Sequence, residues 1–191
     1  MKAGSAILSI VTSLLIMMLP LSASGQFNSS TNPAPVGKPV SSMIELGSVN
    51  SSIYDTVITV LEVIRGKKAM NLLQKDDTEN KKSREGYEYI LVKVKFELRG
   101  RALSDTMSME LCDNPLQWVA LTSELTDYAP VSVTVPEPAL AGKVSAGESR
   151  EGWIVFSVDQ NDERPVMVFN PDSGGATGRG RTLFFKLYSN R

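Results

Sequence analysis

The chain has 191 residues, 20 of them basic and 21 acidic, and a net charge of −1 that removes any general electrostatic argument for nucleic acid or an anionic membrane surface. It contains no histidine and one cysteine, Cys112. That excludes Ser-His-Asp and Cys-His catalysis, imidazole-ligated zinc, an internal disulfide and a thiolate metal cluster.

Residues 1–25 read as an export signal. Lys2 gives a minimal positive start, and Ala6 to Leu21 is an uncharged, mostly apolar run closed by Pro20. Ala23 and Gly25 then stand at the minus-three and minus-one positions of a cleavage before Gln26. The rival reading is an uncleaved anchor, which alone would bring membrane contact; the run is shorter than the roughly 20 residues a spanning helix needs. No cysteine stands directly after the segment, so a lipid anchor there is excluded by residue type. Residues 26–42 read as a Pro/Ser/Asn-rich linker without packing residues. Asn28-Ser29-Ser30 and Asn50-Ser51-Ser52 match the glycosylation acceptor pattern.

A folded domain is expected over residues 43–191. Ile44, Leu46 and Val49 suggest a short first strand, and Thr56 to Ile64 a β-branched second one. Lys67 to Gln74 reads as one or two helical turns, because Met70, Leu72 and Leu73 do not alternate. Lys75 to Glu85 carries mixed charge. Asp76, Asp77 and Glu79 would be its cation ligands, but the interspersed lysines and the spacing favour a solvated loop.

The central stretch is Tyr87 to Arg99. Ile90, Val92, Val94, Phe96 and Leu98 alternate with Leu91, Lys93, Lys95, Glu97 and Arg99, which predicts a long antiparallel strand with one face in a core and the other in water. Further strands are expected at Met107 to Cys112, Gln117 to Leu121, Val131 to Val135, Glu151 to Asp159, Pro165 to Phe169 and Thr182 to Tyr188. Ala141 to Ser149 reads as a loop, and Asn170 to Arg181 as a long glycine-rich hairpin loop. About seven or eight strands without a long amphipathic helix predict an all-β fold, an immunoglobulin-like antiparallel β-sandwich. Cys112 is expected to be a buried thiol, although strict alternation turns it away from Met107 and Met109; pairing with another molecule is the alternative.

No constellation of catalytic type emerges. Gly174, Gly175, Gly178 and Gly180 beside Arg179 and Arg181 resemble an anion cradle, yet strand-like sequence flanks them on both sides and no helix follows. Glu148 with Glu151, and Asp159 with Asp162, are carboxylate pairs whose convergence sequence cannot show. Tyr87, Tyr89, Trp118, Tyr128 and Trp153 are candidates for a carbohydrate or peptide platform, or for sheet packing. No catalytic, cofactor or metal residue is therefore assigned.

The order of these segments, with VLEVIRG, then YEYILVKVKFELRG, then VSAGESREGWIVFSVDQNDERPVMVF, resembles a family of exported immunoglobulin-like β-sandwich domains of unknown function from bacteria and archaea. That family is related in fold to a secreted immunoprotective antigen family. Gly147-Glu148, Gly152 and Phe156 match its late element, while Ala146 replaces a proline and the lipobox cysteine is missing. The resemblance covers roughly residues 40–189 and implies a fold, not a catalytic residue. Together these readings lead to an expected non-enzymatic module in the secreted or cell-envelope space. It would bind an unknown protein or glycan through end loops or a sheet edge, with no cofactor. An inhibitor or chaperone of another exported protein is the alternative, with Ala129 to Ala141 as the inserted loop; a carboxylate-only glycosidase comes third.

Overall fold

The computed structural model describes residues 28–47, 50–103, 105–112, 116–172 and 178–188; the export segment 1–25 and Gly174 and Gly175 lie outside the described residues. No helix among the described residues is long and apolar enough to cross a membrane. The elements in chain order are β1 (Val40–Leu46), β2 (Ser52–Arg65), α1 (Gly66–Asp76), β3 (Tyr87–Gly100), β4 (Ser108–Leu111), β5 (Trp118–Leu121), β6 (Gly142–Ser145), β7 (Ser149–Asp159), β8 (Val166–Phe169), β9 (Arg179–Gly180) and β10 (Leu183–Lys186). The fold is an all-β antiparallel sandwich. One sheet has the order β7-β3-β2-β1-β9, a second β10-β8-β5, and β4 with β6 forms a third ribbon.

The period-two pattern of β3 sets the core. Ile90, Val92, Val94, Phe96 and Leu98 are fully buried and face Met167, Phe169, Leu183 and Phe185 of the second sheet. Phe96 meets Phe169 with ring centroids 5.9 Å apart, and Trp118 stacks on the same ring at 4.7 Å. Each such aromatic burial contributes on the order of 2 kcal/mol.

The opposite face of β3 is not simply in water. Tyr89 and Leu91 are buried there under Ala69 and Leu73, which sit one helical turn apart on α1. Only further along, where Lys95 and Arg99 bracket Glu97 at 3.2 and 2.8 Å, is this face solvated. Exposed pairs of that kind add little.

The expected boundary at residue 43 falls inside β1, and the stretch expected to be a linker is tied into the fold. Asn28 Nδ2 donates to the Phe184 carbonyl at 2.7 Å, and the Phe184 N–H donates to Asn28 Oδ1 at 2.8 Å. Ala34 is buried and bonds β10 at both its N–H and C=O. An asparagine amide here imitates a strand backbone, so no hydrophobic period announces the contact. Because its Nδ2 is engaged, Asn28 is a poor glycan acceptor in the folded chain. Asn28→Ala is expected to cost about 1–2 kcal/mol by urea denaturation. A change below about 0.5 kcal/mol would place residues 28–39 outside the cooperative unit.

Three more expectations need correction. The loop expected at Ala141 to Ser149 contains β6, which pairs with β4; its only strongly apolar residue is Val144, too little to show a period. The glycine-rich loop ends in β9, where Gly180 lies against Ile44 of β1, and a Cβ there would stand 2.8 Å from the Met43 carbonyl oxygen. These two short strands raise the number among the described residues to ten. The strand expected at Val131 to Val135 does not form, and what replaces it shapes the surface described next.

Candidate functional site

Tyr128 to Ala141 leaves one end of β7 and returns to its middle, bowing outward between. At the far end, the Tyr128 N–H donates to the Ala120 carbonyl, and its hydroxyl donates to Asp162 Oδ2 at 2.8 Å, just past the end of β7. At the near end, the Trp153 N–H donates to the Pro138 carbonyl at 2.8 Å, and the Leu140 N–H donates to the Trp153 carbonyl at 2.9 Å. Gly152 makes the near contact possible, since a Cβ there would lie 2.4 Å from the Leu140 nitrogen.

Between these anchors the segment is held away from β7. Asn80, itself buried, donates through Nδ2 to the Thr134 carbonyl and accepts the Thr134 N–H, both at 2.9 Å; Nδ2 also donates to the Leu73 carbonyl. The Thr134 hydroxyl donates to Asp77 Oδ2 at 2.7 Å. That bond, with the Glu79 N–H, holds the Asp77 carboxyl below its usual range. Val131 and Val133 pack toward Leu91, Trp153 and Val155. The alternating valines are thus extended as the sequence suggests. Their bonding partner is a side-chain amide rather than β7, and Pro130, Pro136 and Pro138 lack N–H donors for a ladder.

The bow encloses a groove of about 580 Å³ between the edges of β5 and β7. Trp118, Ala120, Tyr128, Val133, Trp153 and Phe156 are among its walls, and Asp127 is the only charged residue among the described residues of the lining. Both tryptophans of the chain therefore face one site. Of the five aromatics singled out from sequence, Trp118, Tyr128 and Trp153 meet here. Tyr87 backs Tyr128 edge-on at 6.4 Å and carries Arg84 over its ring at 3.5 Å. Tyr89 is buried beneath α1 instead.

A larger cleft of about 670 Å³ runs beside β1, lined by Asn28, Lys38, Asp55 and Arg181. Two of its charged groups are already engaged. Asp55 is paired with Arg101 at 2.6 Å, and Arg181 donates to the Asn28 carbonyl.

Three of the four paired carboxylates are engaged by hydrogen bonds of the fold itself. Glu148 Oε2 accepts the Ser145 N–H, Asp159 Oδ1 accepts the Asn161 N–H, and Asp162 accepts from Ser123, Tyr128 and Arg164. No group of three or more metal-ligating side chains stands together among the described residues. Cys112, expected to be buried, is exposed at the groove rim with a φ of 60°. Desolvation by its surroundings nonetheless pushes the thiol up to about 12. The open surface decides whether a reagent reaches it, and the raised pKa makes the reaction slow.

Burial, and then the Asp162 carboxylate, raise the Tyr128 pKa. The folded state keeps a proton that the unfolded state releases, so stability is intact below the ordinary tyrosine pKa near 10 and falls as pH rises past it. Burial of Tyr89 acts in the same direction. Tyr128→Phe is expected to be about 1 kcal/mol less stable at pH 7, from the lost hydrogen bond, and to lose less stability between pH 10 and 12. Equal alkaline slopes for the two proteins in urea denaturation would contradict this.

Sequence reasoning missed Asn80 and Gly152 as site-forming residues. Gly152 had a signal: a glycine inside an apolar strand marks a close backbone approach. Asn80, one polar residue in a charged loop, had none. No family model and no curated protein matches the chain. Two solved structures from Bacillus subtilis are similar to it in fold. The candidate lipoprotein ycdA is 15% identical with a TM-score of 0.46, over 69% of this chain and 36% of its own, so this chain spans little more than a third of that protein. The yjhA protein is 14% identical with a TM-score of 0.48, over 80% of this chain and 98% of its own; at these scores the likeness carries no argument about function.

Proposed function

We propose that the chain is a non-enzymatic, exported binding module whose ligand seats in the groove between β5 and β7. The export part of this reading rests on residues 1–25, and the binding part on one observation. A cleft with aromatic and aliphatic walls, and a single charged residue among the described residues of its lining, is braced open by Asn80 and by ties at both ends of the bow. Exposed apolar concavity of this kind is a binding feature more often than a packing defect. Insertion of Ala129 to Ala141 into a protease is less well supported, because Val131 and Val133 turn onto the chain's own apolar cluster and Thr134 is held by Asn80.

Trp118 and Trp153 report on the groove directly. Protein and glycan fractions of an envelope extract, titrated against the full chain, are expected to shift the tryptophan emission saturably. Ala129→Arg, a change at an exposed wall residue, is expected to abolish the shift without lowering Tm. A shift that survives Ala129→Arg, or no shift with any fraction, would overturn the groove as the binding face.

A further inference from the structure

Resting on that reading, we infer that the groove takes an extended apolar peptide segment of another exported polypeptide, added as a strand along the open edge of β7.

The inference starts from the bonding parity of β7. Trp153 directs both its N–H and its C=O away from β3, toward Pro138 and Leu140. The β3–β7 register runs without a shift from Tyr87↔Asp159 to Glu97↔Ser149. In an antiparallel pair, bonding direction alternates residue by residue, so Val155 and Ser157 also point outward. The edge is satisfied at Trp153 by Pro138 and Leu140, and just past its other end the Tyr128 hydroxyl is tied to Asp162. No described residue bonds the outward backbone groups of Val155 and Ser157. Two N–H donors and two C=O acceptors therefore stand free in strand spacing over the stretch from Trp153 to Asp159, roughly 20 Å at about 3.3 Å per residue.

The pair at Val155 lies in the groove lining and the pair at Ser157 follows it along the same edge, and together they select the occupant. Covering them with a lipid chain would leave buried donors and acceptors unsatisfied. A glycan offers hydroxyls but does not match apolar walls on both sides. An extended backbone supplies the complementary ladder, as in recognition by strand addition. Its side chains would alternate between two apolar surfaces, Trp118, Ala120 and Phe156 on one side and Val131, Val133 and Trp153 on the other. The partner segment is thus a continuous apolar run of about four or five residues at strand rise. It contains no acidic residue, because the charge among the described lining residues is the carboxylate of Asp127.

The test selects peptides from a random 12-residue library on the full chain and measures them by tryptophan emission. Selected peptides are expected to be apolar and uncharged or basic. Single backbone N-methylation is expected to weaken binding about tenfold or more at every second residue, and little at the residues between, since tenfold corresponds to about 1.4 kcal/mol, one hydrogen bond. Ser157→Pro removes one outward N–H from an edge position where proline is tolerated, and is expected to weaken the same peptides about tenfold. The N-methyl scan alters only the peptide and decides the matter even if that variant misfolds. Peptides lost on Ala129→Arg but indifferent to N-methylation would overturn strand addition and leave the binding module standing. So would a glycan or lipid that shifts the emission where no peptide enriches, or a chain that dimerises through β7 and takes no peptide. If nothing of any class shifts the emission, both readings fall.

Discussion

Gly152→Ala is expected to destabilise the protein by about 3 kcal/mol, the upper end of the usual range for overpacking. A Cβ at this position would stand 2.4 Å from the Leu140 nitrogen, 2.5 Å from the Ala139 carbonyl carbon and 2.6 Å from the Ala139 oxygen. All three are backbone atoms, so no side-chain rotation relieves the collision. Either β7 shifts within its register with β3, or residues 139–140 leave Trp153 and the near end of the groove opens. Gly147→Ala is the control. Gly147 occupies the turn between β6 and β7 with a φ of 88°, and a Cβ there would meet nothing within 4 Å. Its replacement is expected to cost only about 1 kcal/mol, from backbone strain. Urea midpoints that rank the two variants the other way would contradict the close contact at Gly152.

Asn80→Ala is expected to cost about 2–3 kcal/mol, for three hydrogen bonds of which one lies in a buried setting. The loss is not spread evenly. The Leu73 carbonyl keeps a second donor, the Asp77 N–H at 3.1 Å. Thr134 loses the partners of both its backbone groups and retains only the hydroxyl contact to Asp77. The expected signature is therefore local as well as global: cleavage between residues 130 and 137 becomes faster in limited proteolysis, while the sheets stay protected until the main transition. Asn80→Asp keeps the acceptor for the Thr134 N–H but sets a carboxylate against two carbonyl oxygens, so it is expected to rescue little. A variant within about 0.5 kcal/mol of the parent, with unchanged proteolysis, would show that Asn80 does not hold the bow.

The fold was legible wherever burial on one face wrote a period into the chain. β3 and β7 stand where alternation put them, and α1 where Met70, Leu72 and Leu73 broke it. The second burial on β3 was not legible in the same way. Leu91 follows the polar-side positions and reads as an exception until the helix is seen to cover it.

Short strands such as β6 and β9 depend on their partners more than on their own composition, so a few residues with one apolar side chain carry no signal. The bow at Tyr128 to Ala141 shows a different limit. Its valines alternate as a strand's do, and it is extended, but its backbone bonds go to Asn80. Pairing is a property of two segments, and a side-chain amide some fifty residues earlier is not a partner that a period-two search can find. The groove is therefore the least legible feature of all, since it exists because one expected ladder is missing.

That missing ladder can be measured without any ligand. Amide hydrogen exchange across β7 is predicted to alternate. Ile154, Phe156 and Val158, which bond β3, should exchange near the global unfolding limit, and Val155 and Ser157 should exchange at least a hundredfold faster, as unbonded amides at an edge do. Uniform protection from Trp153 to Asp159 would mean that the bow closes onto β7 in solution, and would contradict an open edge and the groove built on it.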